Sequence, residues 1–118
     1  MEEKAYFQTI KHALTDVQSA IKEACTRAGR GPDELTLVAV SKTHPIEAVE
    51  AAYKAGIRQF GENRIQEAEQ KFQNFHSDAV LHLVGHIQRN KAKTAASIAH
   101  WIHSIDKAAT AEKLSKQL

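Results

Sequence analysis

The chain of 118 residues has one cysteine, Cys25, and no apolar run long enough to cross a bilayer. A single cysteine cannot form a disulfide within the chain, so a reducing compartment is expected. The first residues, Met-Glu-Glu-Lys-Ala-Tyr-Phe, lack the basic stretch and apolar core of a secretory signal peptide. These absences predict a cytoplasmic protein without a membrane partner.

No charge of one sign dominates the sequence. Sixteen Lys and Arg residues oppose 14 Asp and Glu residues, which gives a net charge of +2 with His neutral. The basic residues Arg89, Lys91 and Lys93 lack the interleaved aromatic side chains on which nucleic-acid bases stack. We therefore expect no nucleic-acid partner. With 42% hydrophobic and 25% charged residues, the composition is that of one soluble globular domain covering residues 1–118.

Helical and strand-like segments alternate along the sequence. A leading helix has apolar residues on one face, at Ile10, Leu14, Val17, Ile21 and Ala28. Predicted strands follow at Leu35–Ser41, Ile57–Phe60, Val80–Val84 and Trp101–Ile105, and the first is apolar enough to be buried on both faces. A helical segment is predicted after each strand. The second helix of the chain is bounded by Pro45 and Gly56, and the fourth runs from about Gln88 to Ala96. The third and fifth are indicated by apolar residues on one face: Ile65, Ala68, Phe72 and Phe75 in the third, and Ala111, Leu114 and Leu118 in the fifth.

This order predicts an α/β fold with a parallel sheet and right-handed crossovers, because strand starts recur about every twenty residues. Four βα units cannot close a TIM barrel, which needs eight strands. An open four-stranded sheet also leaves two edges unpaired. Three arrangements stay open: helices on both faces of the sheet, association of two half-barrels, or one half of a larger fold.

Lys42 stands at the carboxyl end of the first predicted strand, where α/β folds place their chemistry. A partly desolvated amine there can condense with an aldehyde. The loops Gly61–Asn63, Gly85–Lys91 and Ser104–Lys107 should open on the same edge of the sheet. By position alone, Asn63 is by default a helix N-cap that accepts backbone N–H bonds. His86 could hydrogen-bond a ligand, but by position alone the first interpretation is a solvated loop histidine.

Other polar residues have simpler interpretations. Glu62, Glu67 and Glu69 follow a pattern of helical exposure, and we expect no acid–base pair among them. The histidines at 82 and 86 lie on a strand and its end, without thiolate or carboxylate neighbours, so no metal site is predicted. Cys25 lies beside the apolar face of the leading helix and is expected to be a small buried hydrophobic residue.

Four segments resemble, in order, the motifs of the pyridoxal phosphate homeostasis protein family: residues 37–43, 59–63, 83–91 and 102–106. The resemblance implies the alanine racemase N-terminal fold, a TIM-type (β/α)8 barrel, of which this sequence matches the N-terminal half: four parallel βα units preceded by one helix. It implies pyridoxal 5'-phosphate as the cofactor, held as a Schiff base on Lys42, with Asn63 beside it. Val40 in the first motif, and Gly85 and His86 in the third, complete the implied cofactor-binding set.

The resemblance also implies what the matched half lacks. The family's phosphate-binding residues and the arginine at the pyridine nitrogen come from the other half. The implied role is cofactor homeostasis without catalytic turnover, so no catalytic residue is assigned. Two alternatives stay open: a half-barrel that binds no cofactor alone and self-associates or needs its missing half, and a racemase-like catalyst assembled with another chain.

Overall fold

The computed structural model of the chain describes residues 2–103 and 108–117. Outside the described residues lie Ser104–Lys107 and Leu118. Parts of the predicted fourth strand, its loop and the last helix fall on these residues. The chain divides into two compact units, Met1–Leu37 with Pro45–Ile57, and Val38–His44 with Arg58–Leu118. None of the described helices is long and apolar enough to cross a membrane.

The first unit is a helical pair. Helix α1, Glu2–Ala28, packs on α2, Ile46–Lys54, and a short 3-10 turn at Pro32–Glu34 follows α1. Both helices were predicted, and both end at glycines in the left-handed region, Gly29 with φ +70° and Gly56 with φ +107°. Cys25 is buried as expected, whereas Val17, predicted on the apolar face of α1, is 43% exposed.

The second unit contains a parallel sheet of four strands in the order β1-β2-β3-β4. The strands are β1, Ala39–Val40; β2, Gln59–Glu62; β3, Val80–Leu83; and β4, Trp101–Ile102. Helix α3, Ile65–Phe72, follows β2; α4, Ala92–Ile98, follows β3 after a 3-10 turn at Arg89–Lys91; and α5, Ala108–Gln117, follows β4. The predicted α/β class and the parallel pairing are confirmed, since every strand pair is parallel.

The first strand is much shorter than predicted, two residues in place of Leu35–Ser41. Leu35, Leu37 and Val40 are exposed, so burial of this segment on both faces was wrong. The physical reason is its place at the sheet edge: β1 pairs with β2 alone, so a second ladder does not extend the strand.

The second strand begins two residues later than predicted and runs through Gly61 and Glu62, which were expected to form a turn. Its ladder with β3 continues until Glu62 lies opposite Leu83. A side chain at Gly61 would bring its Cβ within 3.2 Å of Val38 Cγ1, so glycine suits this packed position. The fourth helix starts at Ala92, after the 3-10 turn, in place of Gln88.

The core of this unit lies between the sheet and its helices. Phe60 on β2 is fully buried and meets Phe72 and Phe75 with ring centroids 5.6 Å away in each case. The larger apolar cluster consists of Ile65, Ala68, Leu81, Leu83, Ile87, Ala92, Ala95 and Leu114. The predicted inner face of α3 is confirmed for Ile65, Ala68 and Phe72, whereas Phe75 lies beyond the end of the helix. The other sheet face is open, since Val40 is 48% and Trp101 61% exposed.

Replacement of Phe60 by Ala should lower the free energy of unfolding by about 3–5 kcal/mol, because it leaves a cavity between β2 and α3. The matched control is Val40→Ala on the open sheet face, which should cost about 1 kcal/mol or less. Chemical denaturation followed by circular dichroism measures both. Equal losses in the two variants would contradict this placement of the core.

Candidate functional site

Lys42 immediately follows the ladder of β1, which Ser41 extends by donating its N–H to the Gly61 carbonyl over 2.9 Å. The Ser41 side chain lies on the helix side, where its hydroxyl donates to Glu62 Oε2. Since side chains alternate along a strand, Val40 lies on the open side, and Lys42 follows Ser41 in the turn after the ladder. The Lys42 side chain is exposed, so burial does not desolvate its amine in this structure. Its Nζ has no hydrogen-bond or ion-pair partner among the described residues.

Thr43 gives the chain an unusual backbone bend directly after Lys42. Its φ of +66° lies in the left-handed region, which β-branched residues rarely adopt and which costs about 1–3 kcal/mol. Thr43 N–H donates to Glu67 Oε1 over 2.7 Å, and its hydroxyl donates to the Lys42 carbonyl over 2.5 Å. His44 N–H reaches the Ser41 carbonyl over 3.1 Å. These bonds maintain the bend.

A largely buried lysine, Lys71 on α3, joins this segment to two carboxylates. Its Nζ donates to the Ser41 carbonyl over 2.8 Å, to Glu62 Oε2 over 3.1 Å and to Glu67 Oε1 over 2.7 Å. The Lys71 side chain is 9% exposed, and Glu62 is fully buried. Burial raises the pKa of Glu62, and the hydrogen bonds from Ser41 and Lys71 oppose that rise. The hydrogen bonds from Lys71 and Thr43 lower the pKa of Glu67.

The sequence interpretation missed this cluster. Glu62 was expected to be exposed, but β2 extends through it and directs its side chain toward α3, as it does Phe60 two residues earlier. Lys71 was not singled out at all. The spacing of Glu67 and Lys71, four residues apart on one helix, was the available signal.

Asn63 and Gly85 come together where β2 and β3 end. A Cβ on Gly85 would lie 2.6 Å from the Asn63 carbonyl oxygen and 2.9 Å from Asn63 Cα. Only glycine permits that approach. The alternative of Asn63 as a helix N-cap was wrong, because α3 starts one residue later and has Arg64 at that position.

A cavity of about 330 Å³ opens beside this contact, and its size is in the range of small-ligand pockets. Its lining consists of Asn63, Arg64, Ile65, Gln66, His86, Gln88 and Lys91. The structure therefore brings together Asn63, Gly85 and His86 at one place. Val40 and Lys42 stand on the neighbouring strand end and do not line the cavity.

A second polar group lies on the open sheet face. His82 Nε2 is 2.7 Å from Gln59 Oε1, and its Nδ1 is 2.9 Å from His103 Nε2. Trp101 stacks on the His82 ring with a centroid distance of 6.1 Å. Burial lowers the pKa of His82, and the nearby His103 and His100 lower it further. Within residues 2–103 and 108–117, no three His, Cys, Asp or Glu side chains are grouped to hold a metal ion.

Comparison with known proteins connects this geometry to a family. The sequence profile of the alanine racemase N-terminal domain matches residues 13–118. The chain belongs to this family. It is also 43% identical over 112 residues to the pyridoxal phosphate homeostasis protein of Escherichia coli K12, covering 92% of this chain and 48% of that protein. The chain thus spans about half the length of the curated relatives it matches, and the predicted resemblance is confirmed.

Solved structures agree with the family assignment. PipY of Synechococcus elongatus PCC7942 with PLP bound superposes with a TM-score of 0.67 at 40% identity, over 82% of this chain and 47% of PipY. A protein of unknown function from Bifidobacterium adolescentis gives a TM-score of 0.82 at 31% identity, over 96% of this chain and 51% of that one. The predicted fold class, half of a TIM-type barrel, is confirmed by these matches.

Replacement of Gly85 by Ala should displace the Asn63 backbone and lower the free energy of unfolding by about 1–3 kcal/mol, because a backbone contact cannot rotate away. Gly31→Ala is the matched control, since its Cβ would meet the mobile tip of the Asp33 side chain. Thermal unfolding and the amide NMR shift of Asn63 measure the effect. A Gly85→Ala variant as stable as Gly31→Ala, with the Asn63 shift unchanged, would contradict this contact.

The free energy of unfolding should fall as the pH drops from 7.5 to 5.5. The pKa of His82 is lowered in the folded chain, while an unfolded histidine titrates near pH 6.5, so below that pH protons favour the unfolded state. His82→Gln should weaken this pH dependence, and His12→Gln on exposed α1 should retain it. Urea denaturation at both pH values is the measurement. An unchanged pH dependence in His82→Gln would refute this assignment.

Proposed function

We propose that this chain binds pyridoxal 5'-phosphate as a Schiff base on Lys42 and takes part in intracellular homeostasis of that cofactor. The observation that carries the proposal is the exposed Lys42 amine, which has no partner among the described residues and follows directly on a parallel strand. The family membership and the PLP-bound PipY structure support the choice of ligand.

The chemistry asks only for a neutral amine and an accessible aldehyde. Lys42 Nζ would attack the aldehyde carbon, a C=N bond would replace the C=O bond, and the oxygen would leave as water with the two amine protons. No oxidant or reductant enters this balance. The Lys42 amine is exposed and has no ion-pair partner among the described residues, so an aldehyde can reach it.

The remaining predicted residues surround this position in different ways. Val40 is exposed two residues before Lys42, so it would offer an apolar surface to the ring. Asn63 would place its amide beside the ring, and Gly85 permits the close backbone approach that positions Asn63. His86 lines the adjoining cavity with Asn63 and would contact the ligand from there.

We infer a holding role without catalytic turnover for residues 1–118, which act as one N-terminal half-barrel domain. Proton transfer at an amino-acid carbon needs acid and base groups on both ring faces, and Lys42 alone would supply one face. The names of the curated relatives, homeostasis proteins, support this role. The reducing cytoplasm is the proposed compartment, supported by the free and buried Cys25.

A second candidate is a half-barrel that binds the cofactor only after pairing with a second copy or with the missing half. The observation that favours it is the open sheet: among the described strands, β1 and β4 each pair on one side, and Val40 and Trp101 are exposed. Parallel strand edges and an exposed apolar face are normally covered in α/β folds.

Borohydride reduction of the protein mixed with pyridoxal phosphate should fix the label on Lys42, located by mass spectrometry of peptides. Lys42→Ala and Lys42→Arg should both lose this label and the visible absorption band. The arginine variant should lose them because a guanidinium retains the charge but is not a nucleophile. Lys22→Ala, on exposed α1, serves as the control and should label as the wild type does. Labelling spread evenly over the surface lysines would overturn the proposal.

Light scattering with and without pyridoxal phosphate separates the two candidates. The second candidate requires a dimer, or labelling of Lys42 only when the missing half is supplied. A monomer that labels Lys42 by itself would eliminate it and retain the first.

A further inference from the structure

The hydrogen bonds beneath Lys42 contact the backbone on both sides of that residue. We propose that Glu67 and Lys71 are positioning residues, which hold Ser41 and Thr43 so that the Lys42 amine is presented to an aldehyde ligand. This inference rests on the proposed function, since it gives the two residues their purpose.

The geometry shows two anchor points. Before Lys42, the Ser41 carbonyl accepts from Lys71 Nζ over 2.8 Å; after it, Thr43 N–H donates to Glu67 Oε1 over 2.7 Å. Both are charge-assisted hydrogen bonds, which are stronger than neutral ones. The anchors are also joined to each other, because Lys71 Nζ lies 2.7 Å from Glu67 Oε1. The two peptide groups that flank the Lys42 Cα are therefore held from a single helix.

The left-handed conformation of Thr43 indicates that the segment needs such anchors. A threonine with φ +66° is strained, and it persists only where surrounding contacts impose it. The Glu67 bond acts on the N–H of this same residue. Without it, Thr43 would relax toward negative φ, and the direction of the chain at Lys42 would change.

The burial of the cluster argues against a role in stability alone. Lys71 is 9% exposed and Glu62 is fully buried, and the second Glu62 oxygen, Oε1, has no hydrogen-bond partner among the described residues. Apolar residues of similar volume often stabilise a fold as well as a buried ion pair does, or better. We therefore infer that this charged cluster serves to fix the positions of the Ser41 carbonyl and the Thr43 N–H.

Three variants of α3 separate positioning from general support. Glu67→Ala removes the acceptor for Thr43 N–H, whereas Glu67→Gln retains an oxygen at that position. Glu69→Ala, two residues further along the same helix on its exposed side, is the matched control. Because Glu67 is partly exposed, with 26% of its side chain accessible, we expect all three variants to fold.

The first measurement needs no ligand. Amide hydrogen exchange of Thr43 by NMR should be at least tenfold faster in Glu67→Ala than in the wild type, with Glu67→Gln and Glu69→Ala close to the wild type. Uniform exchange at Thr43 in all four proteins would overturn the anchor itself.

The second measurement is the affinity for pyridoxal phosphate, read from the visible band and its induced circular dichroism. Glu67→Ala should bind roughly tenfold more weakly, equivalent to about 1.4 kcal/mol, and lose the dichroism that reports a fixed ring. Glu67→Gln should recover most of the affinity and of the dichroism. The melting temperatures of both Glu67 variants should stay close to that of Glu69→Ala. This rescue is the result that general support of the fold would not produce.

The outcomes distinguish this inference from the proposed function. If the wild type labels Lys42 and Glu67→Ala labels it with the same affinity, the positioning role is wrong and the proposed function stands. If the wild type does not label Lys42, the proposed function fails. Lys71→Met offers a second test of the other anchor, with Lys71→Arg expected to restore binding in part because it retains charged donors near the Ser41 carbonyl.

Discussion

The Lys71 ammonium, enclosed by Glu62, Glu67 and the Ser41 carbonyl, is the interaction on which the strand end carrying Lys42 depends. It joins α3 to the ends of β1 and β2. A largely buried cation with three oxygen partners has little freedom to move, because each of its three N–H donors can be engaged by one of these oxygens. The exposed Lys42 amine thus stands directly beside one of the most constrained parts of the unit.

The two faces of the sheet differ because side chains alternate along each strand. Phe60 and Glu62 face the helices, where one packs on aromatic rings and the other meets Lys71. Residues between and beside them face the open side, where His82, Gln59 and Trp101 form a polar and aromatic layer. The helix side provides the stability of this unit, and the open side provides its chemically available groups.

Membership in the alanine racemase N-terminal domain family relates this part of the sheet to the proposed cofactor site. The relatives are about twice as long as the matched region, and PipY contains bound PLP. In this chain the amine at Lys42, the Asn63–Gly85 contact and the adjoining cavity are all formed by residues 38–91. The residues of the proposed site thus all lie within the part of the chain that the structure describes.

The sequence by itself determined the α/β class, the leading helix, the order of strands and the place of Lys42 at a strand end. Hydrophobic periodicity and glycine positions are local signals, and they are sufficient for those features. The family motifs added Asn63, Gly85 and His86 as a group, and the structure brought these three together.

Only the tertiary structure decided the ends of the strands and the surroundings of Lys42. Strand length depends on whether a partner ladder is present, so β1 stops after two residues although the predicted segment Leu35–Ser41 is mostly apolar. The burial of Glu62 depends on which sheet face it occupies, and a shift of two residues in β2 was enough to hide it. Lys71 lies nine residues from Glu62 and thirty from Ser41, and only the packing of α3 on the sheet brings the three into contact.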